Sequence, residues 1–144
     1  MKMKLNIDVL AEDFFHDTRL MGIVAPIKDY QLCWHLNHSL NFDFRNNNDI
    51  EIQLTKKNRD YYFAVFQYNE PSATLEHYLY NNHFDGEYLL PESRHLDFLY
   101  LLKGDTVTDN ALNDLMHTIK QVGGVQMVME LSLEKIKSRA NLIF

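Results

Sequence analysis

The chain reads as α+β: a single, mostly antiparallel sheet of about six or seven strands, two main helices packed on one face, and a short C-terminal helix or extension. Two observations predict this. Between Ile50 and Leu102 the apolar residues recur with a period of two and the connections are short, as in antiparallel neighbours. On either side of that run, the stretches 26–40 and 108–122 have helical character, which suits crossovers of βαβ type. The resulting order of strand, helix, strands, helix, strand is neither a regular α/β alternation nor an all-β sandwich.

The first 13 residues are mixed in character and are expected to be loosely held. From Thr18 to Val24 the pattern alternates, with Leu20 and Val24 facing one way and Met21 and Ile23 the other, which predicts a strand. Pro26 suits the first turn of a helix because its missing N–H costs nothing there, and no further breaker appears before Leu40. On a helical wheel Ile27, Tyr30, Leu32, Cys33, Trp34, Leu36 and Leu40 fall on a broad apolar arc. Lys28, Gln31, His35, His38 and Ser39 gather on the remaining face.

Asn46 to Asp49 is polar and reads as a loop, followed by the alternating strand Ile50 to Thr55. Lys56 to Asp60 should turn the chain into Tyr61 to Tyr68, which is apolar or aromatic on both faces and so is expected to be one central, doubly covered strand. After Pro71 and Ser72, Leu75 to Tyr80 forms a strand with Leu75, His77 and Leu79 on one face and Glu76, Tyr78 and Tyr80 on the other. Asn81-Asn82 and Asp85-Gly86 mark turns, Glu87 to Leu90 is short and strand-like, Pro91 stops it, and Leu96 to Leu102 is a long apolar strand. Beyond Gly104, Leu112, Leu115, Met116, Ile119 and Val122 form a helical stripe, with Thr108 as N-cap and Gly123 as the stop. Val125 to Leu131 alternates as a last main strand, and Ser132 is placed to cap a closing helix through Leu133 and Ile136.

The 144 residues and 46% hydrophobic content support one globular domain spanning 1–144. No repeat or low-complexity linker divides it. A net charge of −6 is the wrong sign for capturing a phosphate backbone, which disfavours nucleic acid as a partner. Cys33 is the single cysteine, so no internal disulfide forms and a reducing compartment fits. With no secretory pattern after Met1 and no apolar run near the roughly 20 residues that cross a bilayer, a cytoplasmic location away from membranes is expected.

Signatures of listed chemistries are missing: there is no GxSxG, GxGxxG or GxxxxGK[ST]. His35 and His38 stand three apart on a helix and are the candidate metal ligands. A zinc site needs three or four protein ligands, Cys33 points into the apolar arc away from both imidazoles, and no metal or cofactor is called for. Cys33 itself, among Leu32, Trp34 and Leu36, reads as a buried structural thiol. The aromatics between Tyr61 and Tyr80 lack the glycine and basic residues of an RNA-binding platform and read as core, or as a protein-binding surface where exposed.

Leu90-Pro91-Glu92-Ser93-Arg94-His95-Leu96-Asp97-Phe98 is the most informative segment. Pro91 ends one strand and a loop then leads to the next. Asp97, at the head of an apolar row, must cap backbone N–H groups or pair with Arg94, His95 or Lys103, because an unpaired buried carboxylate is costly. The segment resembles the signature of the IPExxxVDY family of small bacterial proteins: Pro91, Glu92 and Asp97 match, while Leu90, Leu96 and Phe98 stand for Ile, Val and Tyr. The run Pro26 to Cys33 and the Lys103-Gly104 strand end also look like that family, so the resemblance spans the chain. It brings no assigned activity, and Phe98 lacks a hydroxyl, so no role of a tyrosine there carries over.

Three functions compete on this basis. The first is a non-enzymatic regulatory module that binds another protein, or a second copy as a homodimer, through an aromatic-rich sheet face or edge. The second is an enzyme or small-ligand binder built on Glu92, Asp97 and His95 beside a pocket. The third is a nucleic-acid-associated regulator, which would need a basic face hidden by the acidic average.

Overall fold

The computed structural model describes residues 9–144. The expected looseness of the first 13 residues therefore lies largely outside the described residues; 9–13 are helical, and Ala11 is buried. The chain then forms strand β1 (Arg19–Val24), helix α1 (Asp29–Leu40), strands β2 (Arg45–Asn46), β3 (Ile52–Lys56), β4 (Arg59–Phe63), β5 (Val65–Asn69), β6 (Glu76–Asn81), β7 (His83–Phe84), β8 (Glu87–Tyr88) and β9 (Phe98–Lys103), helix α2 (Asp109–Lys120) and strand β10 (Met127–Leu131). Short 3-10 turns at Pro91–Ser93, Leu133–Lys135 and Arg139–Leu142 complete it.

The main sheet has six strands in the order β10-β1-β9-β6-β5-β2, and every neighbouring pair is antiparallel. Since β9 and β10 both run antiparallel to β1, they point the same way, and α2 carries the chain over β1 between them. This is the split β-α-β connection. By the same reasoning β1 and β2 are parallel across the sheet, with α1 as their crossover.

Alternation puts Met21, Ile23, Leu79, Tyr100 and Leu102 on one face, where Leu32, Cys33 and Leu36 of α1 and Leu112 and Ile119 of α2 cover them. Both helices thus lie on one face, as the periodicity predicts. The other face buries Leu20, Tyr78, Tyr80, Leu99 and Leu101 beneath the β3–β4 hairpin, the segment around Leu89, Leu90 and Leu96, and the C-terminal Ile136 and Leu142. An antiparallel sheet commonly leaves one face wet; here both are dry, which explains the heavy aromatic load of the central strands.

Several expectations are corrected. The stretch Tyr61 to Tyr68 is two strands: β4 pairs only with β3 in a separate hairpin, and after Ala64 the chain enters the main sheet as β5. Tyr61 and Phe63 are buried because the hairpin folds under the sheet, so its apolar pattern mimics that of a central strand. The β3–β4 turn is made by Lys57 and Asn58, both with positive φ, the arrangement of a tight I′ hairpin. Asn46, read as loop, pairs together with Arg45 against β5 as an edge strand of two residues. Helix α1 begins three residues after Pro26: Ile27 N–H bonds to Ala25 in a turn, and Gln31 Oε1 then accepts the Lys28 N–H at 2.9 Å.

Thr108 caps α2 as predicted, accepting the Ala111 N–H at 3.2 Å. The helix ends at Lys120, and the left-handed residue beyond it is Gly124 rather than Gly123. Ser132 precedes a single 3-10 turn without a side-chain cap.

Candidate functional site

The signature loop is held by side chains from three directions. Asn82, with 0% of its surface exposed, donates from Nδ2 to the carbonyls of Ser93 at 2.8 Å and Leu96 at 2.9 Å, and its Oδ1 accepts the Leu90 N–H at 2.8 Å. Its own backbone takes the Leu89 N–H and donates to the Asp97 carbonyl. One amide thus satisfies the backbone of a loop that carries no ladder of its own.

Asp97 donates its N–H to Ile23 and accepts the Ala25 N–H on Oδ2 at 2.8 Å, which locks the loop to the end of β1. Of the partners open to it, the carboxylate takes backbone. Glu92 reaches elsewhere, accepting the N–H and hydroxyl of Ser138 in the C-terminal turn. Partial burial pushes its carboxyl up, but the hydrogen bonds from Ser138 and from the backbone of Glu92 and Lys137 together outweigh this and hold it below the ordinary value. Pro91 opens the 3-10 turn, and Arg94 lies 5.6 Å from the Tyr88 ring. His95 is exposed and forms no ion pair with either carboxylate among the described residues. The geometry does not bring Glu92, His95 and Asp97 together.

Leu96 has a counterpart in β1 that the sequence conceals. A Cβ on Gly22 would sit 2.4 Å from a Leu96 methyl, so the absent side chain of Gly22 is the seat of the signature leucine. An open hollow of about 250 Å³ adjoins the loop, lined by Ile27, Lys28, Asp29, Asn81, His83, Asp97 and Phe98. It takes only Asp97 from the predicted trio.

The outer face of α1 departs from the wheel expectation. Only Leu32, Cys33 and Leu36 of the helix are buried, so the contact stripe is narrower than the apolar arc. Tyr30 and Trp34, at 64% and 56% exposure, lie on the opposite side, and the His38 ring stacks on Trp34 with centroids 4.0 Å apart. Tyr30, Trp34 and His38 follow an i, i+4, i+8 spacing and form one aromatic ridge in solvent. His35 turns instead toward Gly123, where a Cβ would come within 3.3 Å of its ring. Among the described residues no three His, Cys, Asp or Glu side chains are grouped to hold a metal ion, so His35 and His38 have no third ligand at hand. Cys33 is 5% exposed, and burial pushes its thiol up to about 12.

His77, on the helix side of β6, is 2% exposed and shares a 2.5 Å hydrogen bond between Nδ1 and the Tyr100 hydroxyl. Phe42, Phe44 and Tyr68 complete an aromatic surround, and burial pulls the imidazole down to about 4. Its Nε2 is the buried side-chain nitrogen without a hydrogen bond among the described residues; Glu70 Oε1 stands 3.7 Å away. His77 stands out in the sequence as a polar residue on the apolar face of a strand, whereas Asn82 reads only as part of a turn and carries no signal of its buried role.

No helix among the described residues is long and apolar enough to cross a membrane. Scanned against protein-family models and searched against curated proteins, the chain matches none.

Proposed function

We propose that this chain is a non-enzymatic, protein-binding regulatory module of the cytoplasm, related to the IPExxxVDY proteins, which docks a partner on the outer face of α1. The observation that carries the reading is the ridge of Tyr30, Trp34 and His38: the chain's single tryptophan stands in solvent, on the side of α1 opposite its buried stripe. Tryptophan and tyrosine are the residues most enriched at the energetic centres of interfaces, and helical i, i+4 anchors fit a groove on a partner. Two further features support it. The signature carboxylates are spent on backbone and Ser138, and the sheet faces are covered, so the buried tyrosines of β5 and β6 offer no stacking platform. The net charge of −6 favours a partner of opposite sign.

The test is affinity capture from native lysate with wild type, with Tyr30→Ala plus Trp34→Ala, and with Glu92→Ala plus Asp97→Ala, each accompanied by a thermal melt. The ridge variant is expected to lose the captured protein while melting like wild type. Equal capture by the ridge variant, or loss confined to a carboxylate variant with an unchanged melt, would overturn the reading.

A further inference from the structure

The two edges of the main sheet are unequally protected. One ends in β2, which is two residues long; the other is β10, five residues of which Met127, Val128, Met129 and Leu131 are half-buried although β1 covers only one side. Edge strands are normally blunted by lysine, proline, a bulge or short length, and Met127 to Leu131 contains no lysine or proline. Its one charge, Glu130, is turned to its own sheet: Arg19 donates to Glu130 from Nε at 2.9 Å and from Nη2 at 3.1 Å, and the same guanidinium reaches Asp109. Among the described residues the edge is apolar, its one charge is paired, and no strand lies on its outer side.

We propose that β10 pairs antiparallel with β10 of a second copy, joining the two main sheets into one across a two-fold axis at Met129. The argument for a second copy is self-complementarity. Within β10 the sequence alternates around Met129, with Met127, Met129 and Leu131 on one side of the pleat and Val128 and Glu130 on the other. Directly opposite residues of an antiparallel pair share a face, so this register sets Met127 against Leu131 of the other copy, Met129 against itself and Gln126 against Ser132. Charge selects the register. An axis at Glu130 would oppose two carboxylates, whereas an axis at Met129 places Glu130 against Val128 and pairs all five β10 residues. Met129, Leu131 and Leu133 already pack against the core on that face, and the other copy covers their exposed remainder.

The surface is separate from the α1 ridge, and the experiment is chosen accordingly. Sedimentation of the purified chain from low to roughly 300 µM is compared for wild type, Met129→Lys and Tyr30→Ala plus Trp34→Ala, and Met129→Cys is oxidised under mild conditions. Opposite residues at such an axis have Cα atoms about 4.5–5.5 Å apart, within disulfide reach. Wild type and the ridge variant are expected to double in mass with concentration, Met129→Lys to stay monomeric, and Met129→Cys to give a linked dimer that Gln121→Cys does not. A wild type that stays monomeric throughout, or a Met129→Cys chain no more cross-linked than Gln121→Cys, overturns the proposal and leaves the ridge reading standing. Should Met129→Lys fail to fold, the cross-link decides.

Discussion

The carboxylate of Asp97 receives the backbone N–H of Ala25 at 2.8 Å, across 72 positions of sequence. The bond satisfies a donor that β1 abandons as it leaves the sheet, and it ties the signature loop to the chain's route into α1. Asp97→Ala leaves that N–H unpaired in a buried residue, so a loss of about 1–3 kcal/mol is expected in urea unfolding, at constant m. An unchanged midpoint would release Asp97 from its scaffold role.

Asn82 carries more. Its replacement by Ala removes three side-chain hydrogen bonds at a fully buried site and strands the Leu90 N–H and the Leu96 carbonyl, while the Ser93 carbonyl keeps the Leu96 N–H. The expected cost is about 3 kcal/mol or more, against about 1 kcal/mol or less for Glu92→Ala, whose partner Ser138 can turn to water. Asn82→Asp should not rescue, since a carboxylate would face the two carbonyls. Chemical denaturation of the three variants checks the ranking.

His77 sets an acid limb on stability. Its imidazole titrates near 4 in the folded chain and near 6.5 when unfolded, so between those values the unfolded state binds the extra proton. Its contribution is whole above about pH 6.5 and falls as the pH drops toward 4, by up to about 3 kcal/mol. Among the described residues, Glu70, 3.7 Å from Nε2, the Tyr100 hydroxyl bonded to Nδ1 and the Tyr68 ring are the ionisable side chains against the imidazole. Unfolding free energy measured from pH 7 to 4 should decline less steeply in His77→Phe; parallel curves would deny the assignment.

Cys33 should be silent to a thiol reagent at pH 8 while the chain is folded and react fully in denaturant. Burial against the sheet removes both access and thiolate. Fast labelling of the native chain would contradict the packing of α1.

Much of this molecule follows from periodicity. The alternation in β1, β6 and β9 assigns each side chain to the correct face, and the stripe from Leu112 to Val122 together with Thr108 defines α2, because those patterns express local geometry with periods of 2.0 and 3.6. Pro91, Glu92 and Asp97 likewise stand out in the chain, with a backbone-capping role for the carboxylates among those foreseen. Tertiary structure alone decided the rest. The break at Ala64, the narrowing of the α1 contact stripe that leaves Tyr30 and Trp34 in water, and the seating of Leu96 on Gly22 depend on what arrives from distant segments. Burial of an apolar residue is a property of its neighbours in space, and no local pattern states which neighbours come.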